Sequence, residues 1–254
     1  MKKRIIPSIL IKGGSNVCLS KEFSPWRTIG ALTQVLRLHV QRGADELLLI
    51  NLDAAGLADQ LPSQRIFSIV RNEVDIPISY AGGITSPESA IACINSGFDK
   101  VYLTSTFLDQ QDKIQSISKV IGAQSLGICL PYRRSSGRYC IWDYRQSEAQ
   151  NTGLESAIKM ACKYGAGEVL LYNSENDGTL QGIDSSLYNE LDWEKLTLPI
   201  LLGGGAAKQD DFSTALSHPK IQGVVAGSIF ALTDATPLTI RKHCLDVGIP
   251  MRRP

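Results

Sequence analysis

The chain is written twice. GADELLLINLDAAG (43–56) returns as GAGEVLLYNSENDG (165–178), and IPISYAGGIT (76–85) returns as LPILLGGGAA (198–207), both 122 residues on. VYLTSTF (101–107) answers VVAGSIF (224–230), 123 residues on. In a chain of 254 residues this means two similar halves, about 1–122 and 123–254. No Pro/Gly/Ser-rich linker separates them, so the expected organisation is a single domain over 1–254.

Eight apolar runs punctuate the sequence: 5–11, 46–52, 76–80, 100–103, 125–130, 168–172, 200–202 and 223–226. Several are continuously apolar, as parallel strands covered on both sides should be. Amphipathic stretches lie between them. PESAIACINSG (87–97) has Ser86 as N-cap and Pro87 at the first helical position. Gly97 and Gly165 fit the positions that end helices. Strand then helix, repeated eight times with right-handed crossovers, closes into a (β/α)8 TIM barrel built from two half-barrel repeats. A doubly wound open sheet gives no reason for a repeat at half the chain.

Other classes are excluded by composition. The formal net charge is +1, which gives no reason to expect nucleic acid or an anionic membrane. No apolar run approaches the ~18 residues of a membrane span. The opening MKKRIIPSILIKGG is charged and then briefly apolar, but Pro7 and Lys12 interrupt it and no small-residue cleavage site follows. A first strand is expected there, in a cytoplasmic protein. Cys18, Cys93, Cys129, Cys140, Cys162 and Cys244 form no CxxC, which fits reduced thiols and neither a disulfide frame nor a metal site.

In such a barrel the chemistry belongs to the loops after the strands, here 12–24, 51–60, 82–86, 104–106, 131–152, 173–183, 203–207 and 227–228. Two are glycine-rich. Gly204 and Gly205, with Gly227 and Ser228 beside them, follow strands seven and eight, a common phosphate position. The repeat places Gly82, Gly83 and Thr104 after strands three and four as a second such site. Glycine lets backbone N–H groups approach an anion. Two phosphate sites across the mouth imply a substrate with a phosphate at each end. The alternative is that these glycines only make tight turns.

RIIPSILIKGG, GADELLLINLDA, GFDKVYLTS, GAGEVLL, NDGTLQGID, GGGAA and AGSIF, in this order, resemble the cyclase subunit of imidazole glycerol phosphate synthase over essentially the whole chain. The resemblance implies a glutaminase subunit docked on the N-terminal barrel face, forming a heterodimer. It also implies ammonia entering the barrel, and no metal or redox cofactor. Departures from the family pattern are as informative. Against IPCLDVKDG stands IPSILIKGG, which puts Leu10 at the first essential aspartate. Against AIDAKR stands ICLPYRR, which puts Leu130 at the second. Leucine cannot donate or accept a proton. A third aspartate is Asn51 here, and the first of DRDGT is Glu175. Lys21 is the nearest substitute for a phosphate-covering lysine. The remaining candidate acid–base pair is Asp53 and Asp177, expected to face one another across the mouth.

The opposite face keeps its pattern. The family's charged ring, an ammonia gate, matches Arg4, Glu46, Lys100 and Glu168, and Asp99 matches a glutaminase contact. The plainer reading is four charges closing a barrel end by pairing. His39, His218 and His243 are expected at surface or capping positions. Trp142, with Tyr139 and Tyr144, is placed to cover the mouth or meet a partner. Arg133, Arg134 and Arg138 make the long loop basic, either for an anionic substrate or as a solvated face.

A side branch of the same family has leucine at the first aspartate position. It works with an adenylating amidotransferase in acetamidino-sugar synthesis for surface polysaccharides. The resemblance to that branch implies an ammonia-conducting synthase subunit with an ATP-dependent sugar amidotransferase at its C-terminal face. The alternatives are a working cyclase of histidine biosynthesis using Asp53 and Asp177, and a scaffold that only activates a glutaminase.

Overall fold

A computed structural model describes residues 2–54 and 61–252. Part of the expected second loop, 55–60, lies outside the described residues, as do both chain ends. Eight parallel strands form the barrel: β1 Arg4–Lys12, β2 Leu47–Asn51, β3 Ile78–Ala81, β4 Lys100–Leu103, β5 Leu126–Ser135, β6 Glu168–Asn173, β7 Ile200–Gly203 and β8 Ile221–Ala226. Each pairs with the next, from Ser8 opposite Leu48 to Leu202 opposite Val224. Arg4 opposite Gly223 closes the circle between β1 and β8. A terminal clasp reinforces the closure: Lys3 bridges Met251, and the Arg252 N–H donates to the Lys3 carbonyl at 2.9 Å.

Strand alternation sorts side chains into two cores. Ile5, Ile9, Leu47, Leu49, Val101, Ile128 and Leu171 point outward against the helices. Ile6, Leu48, Tyr102, Leu170, Tyr172, Leu201 and Val225 fill the barrel interior. Burying each large apolar side chain contributes roughly 1.5–3 kcal/mol, so both faces of the sheet are held. The helices include Leu32–Gln41, Gln64–Glu73, Pro87–Asn95, Gln111–Ile121, Leu154–Lys163, Gln209–Ser217 and Pro237–Asp246. Ser86 caps Pro87–Asn95 with a reciprocal Ser86–Ser89 box, as its sequence predicts.

Three features depart from the expected plan. The first loop is an antiparallel ribbon, Asn16–Lys21 with Ser24–Ala31, turning at Glu22 and Phe23 with φ of 51° and 66°. Neither residue announces a left-handed turn. The fifth loop is also pleated. β5 runs on to Ser135, turns at Ser136-Gly137, and returns as Arg138–Asp143, with Glu148–Gly153 alongside. Ser136 and Gly137 both have positive φ, as a two-residue hairpin requires. After β6 the crossover carries only the one-turn helix Leu187–Glu190 and a 3-10 turn, Trp193–Lys195. Among the described residues no helix is long and apolar enough to cross a membrane.

Candidate functional site

The two ends of the barrel differ in chemistry. At the N-terminal end, Arg4 reaches between two carboxylates. Its Nη1 donates to Glu46 Oε2 at 2.8 Å and its Nη2 to Glu168 Oε2 at 2.7 Å. Lys100 Nζ and the Tyr102 hydroxyl both donate to Glu168 Oε1. Ser79 Oγ donates to Glu46 Oε1 at 3.1 Å. Glu46 and Glu168 are buried. Burial opposes the Glu168 charge, but Arg4 and Lys100 outweigh it and hold the carboxyl below the usual range. Burial likewise opposes the Arg4 charge, and Glu168 and Glu46 override it. The four ring residues are thus brought together by strands β1, β4 and β6 and by the residue just before β2. Asp99 is exposed beside Lys100, and its Oδ2 accepts from the Ile78 N–H at 2.9 Å.

At the C-terminal end a mouth cavity of about 280 Å³ is lined by Leu10, Leu48, Ile50, Ala81, Cys129 and Pro131, with Lys12, Asn51 and Thr104 as polar members. Leu10 therefore faces the mouth. Leu130 does not. It pairs with the outward-facing Leu171 and is wholly buried in the outer core. The mouth-facing residue at the end of β5 is Pro131, opposite Tyr172. Strand parity decides which residue points inward. Pro131 carries no carboxylate either.

Asp53 and Asp177 are both committed to holding loops. Asp53 accepts the N–H groups of Gly13 and Gly14 at 3.0 and 2.9 Å, pinning the start of the first ribbon. Asp177 is buried and accepts from the Tyr172 hydroxyl and Ser20 Oγ, both at 2.6 Å, and from the Phe23 N–H at 3.0 Å. Asp177 lines the mouth, whereas Asp53 does not. Asn51 donates to the Tyr80 hydroxyl at 3.0 Å, and Glu175 accepts from the Arg134 N–H. Lys21 is exposed, whereas Lys12, which the sequence did not single out, lines the mouth.

The glycine loops serve two separate spaces. Gly82, Gly83 and Thr104 line the mouth. Gly204, Gly205, Gly227 and Ser228 line a second cavity of about 300 Å³, which reaches past Ser8 and Leu10 to His39 and Arg42. It passes beside β1 above Pro7, where pairing with β8 ends. Gly82 and Gly204, 122 residues apart, both have positive φ, and a side chain on either would overlap the backbone of the preceding strand end, at Asn51 and Asn173. Tight packing alone thus accounts for these two glycines. The two cavities share Leu10, Ser20, Tyr172 and Asp177. Phe23 seals the boundary: its ring stacks on Tyr144 at 5.7 Å and meets Tyr172 edge-on at 5.5 Å.

His39 is buried against Phe230 rather than placed at a surface, and burial with Arg42 nearby pushes its imidazole down to about 4. Its helix turns that face inward to cover β1. His218 packs on Trp193 and Tyr188, and His243 reaches Asp210 at 3.1 Å. The basic fifth loop is largely paired. The Arg133 guanidinium lies 4.0 Å over Trp142, and Arg134 meets Glu190. Tyr102, Tyr172 and Phe23 are site-lining residues that sequence reasoning missed. The alternation along the strands of Lys100 and Glu168 signals Tyr102 and Tyr172, whose large aromatic side chains lie inside the barrel, whereas Phe23, in the turn of the first ribbon, carries no such signal.

A family model described as histidine biosynthesis protein matches residues 4–236. The chain is 29% identical over 232 residues to a putative imidazole glycerol phosphate synthase subunit HisF of Leptospira interrogans, covering 91% of this chain and 90% of that one. It is 29% identical over 252 residues to a putative subunit hisF2 of Campylobacter jejuni, 99% of each chain. A subunit HisF of Limosilactobacillus fermentum is 28% identical over 254 residues, 99% of this chain and 96% of the relative.

Proposed function

The chain belongs to the histidine biosynthesis protein family, and from that premise we propose that it is a cyclase-like synthase subunit of a glutamine amidotransferase that has kept ammonia handling and lost cyclase chemistry. The observation that carries this reading is the contrast between the two ends: a paired ring of Arg4, Glu46, Lys100 and Glu168 beneath a largely apolar mouth to which strands β1 and β5 contribute Leu10 and Pro131. A barrel end needing only closure can use apolar residues at less desolvation cost. A glutaminase subunit docks at the N-terminal face with Asp99 at the contact, and its ammonia enters through the ring. The acceptor is an ATP-dependent sugar amidotransferase at the C-terminal face, making an acetamidino sugar. The phosphate loops at Gly82, Gly83 and Thr104 and at Gly204, Gly205, Gly227 and Ser228 then serve separate spaces rather than one bis-phosphorylated substrate. The apolar mouth favours neutral ammonia over ammonium, because an unpaired charge there loses its hydration.

The test is twofold. The chain should fail to restore growth of a cyclase-deficient strain on minimal medium, and the purified barrel should not turn over the cyclase substrate with ammonium salt. Growth, or turnover, sinks the reading and favours an active cyclase working through Asp177, which alone among the described residues brings a carboxylate to the mouth. A scaffold that only activates glutaminase is separated by Lys100→Ala and Glu168→Ala: if ammonia transfer from glutamine persists unchanged, the ring is not a gate.

A further inference from the structure

One layer of the barrel interior lies between the charged ring and the mouth cavity, and Tyr102 spans it. Tyr102 stands two residues beyond Lys100 on β4, so both side chains point inward. Tyr102 is 3% exposed, packed among Ile6, Leu48, Leu170 and Tyr172. The space comes from Gly127 on β5, where any side chain would overlap the ring. At one end Tyr102 forms part of the floor of the mouth cavity. At the other its hydroxyl donates to Glu168 Oε1, the same oxygen that Lys100 contacts. A single side chain therefore reaches from the gate to the chamber.

A leucine or phenylalanine in this layer would have no polar link to the ring. A buried phenol needs a hydrogen-bond acceptor, and here the acceptor is a ring carboxylate. We infer that Tyr102 is an inner door on the barrel axis, closed in this state and latched to the ring through Glu168. Its purpose rests on the ammonia reading, although its geometry does not. When the Lys100–Glu168 contact breaks and Glu168 turns, Tyr102 loses its acceptor, so ring and door open together. Neutral ammonia can then cross an apolar layer that disfavours ions.

Crystals of the full chain pressurised with krypton test this, because dry apolar space takes up noble gases. Wild type should hold krypton in the mouth cavity and none on the axis between Tyr102 and the ring. Tyr102→Phe, which removes only the latch, should lose that exclusion and show krypton on the axis. Tyr102→Ser should show it at higher occupancy, contiguous with Glu168. Krypton reaching the ring in wild type overturns the inference. So does a Tyr102→Phe barrel that excludes krypton as wild type does, since the ring is then a fixed wall. If Tyr102→Ser fails to fold, wild type and Tyr102→Phe still decide. No glutaminase or acceptor is needed, so failure of the door and failure of the ammonia reading are separate results.

Discussion

Glu168 carries more of the N-terminal end than any other residue, since Arg4, Lys100 and Tyr102 all converge on its carboxylate. Removing one partner of a buried charged cluster strands the others. Glu168→Ala should therefore cost about 3–5 kcal/mol in urea unfolding. Its folded carboxyl lies below the usual value. The stability it adds is thus complete above the unfolded carboxylate pKa, about 4.3, and drains away as pH falls through the folded value. His39 gives a slope in a milder window. Burial lowers its imidazole to about 4, against about 6.5 unfolded. Between these values the unfolded chain binds a proton that the folded one refuses, so stability rises with pH there. The gain should approach about 3 kcal/mol from pH 4 to pH 7. His39→Leu should flatten that part of the urea-midpoint profile; a profile as steep as wild type would rule His39 out as the cause. Leu10 turns to the mouth and Leu130 into the outer core, and the sequence could not tell them apart, since a one-residue shift in a strand moves a side chain to the opposite face.

Among the elements, the first ribbon is the one most altered from a plain loop, and Asp177 holds it. Three donors end on its carboxylate, the Glu22 N–H bonds its carbonyl, and a side chain on Gly178 would overlap Ser20. Asp177→Ala leaves buried donors unpaired, a loss of about 1–3 kcal/mol, and should free Phe23 from Tyr172. Faster hydrogen exchange confined to 16–31 is the expected readout; uniform acceleration across the barrel would point to general destabilisation instead. Gly127 offers a second test at this scale. Gly127→Ala crowds Tyr102 and should cost about 1–3 kcal/mol. In a Tyr102→Ser background the penalty should largely vanish, as contacting sites are not additive. Equal penalties in both backgrounds would mean the clash lies elsewhere.

For the whole molecule, the repeat supplies the scaffold and its breaches supply the individuality. Glu46 and Glu168 are repeat mates, 122 residues apart. The two cations are not matched: 123 residues after Arg4 and Lys100 stand Gly127 and Gly223. Those glycines make room, Gly127 for the Tyr102 ring and Gly223 beside Arg4. A symmetric barrel would crowd four cations with two anions. The asymmetric one balances two against two and leaves space for an interior aromatic ring. Closure of β8 on β1 and of β4 on β5 ties the halves into one unit. Expressed alone, 1–122 exposes both edges, and exposed edges pair with other chains. It should run as associated species in size-exclusion chromatography; a stable monomer would show that the half is self-sufficient.

The sequence by itself determined the barrel, its eight strands and the capped helix at Pro87, while the residues of the charged ring came from the family resemblance. Repeats, periodicity and caps are local signals, and local signals survive in a linear text. Tertiary structure alone decided that Pro131 rather than Leu130 turns to the mouth, that Asp177 holds the first ribbon, and that Tyr102 touches both Glu168 and the mouth cavity. Each depends on which face of a strand turns inward and on what stands opposite it, and both are fixed only when the sheet closes on itself.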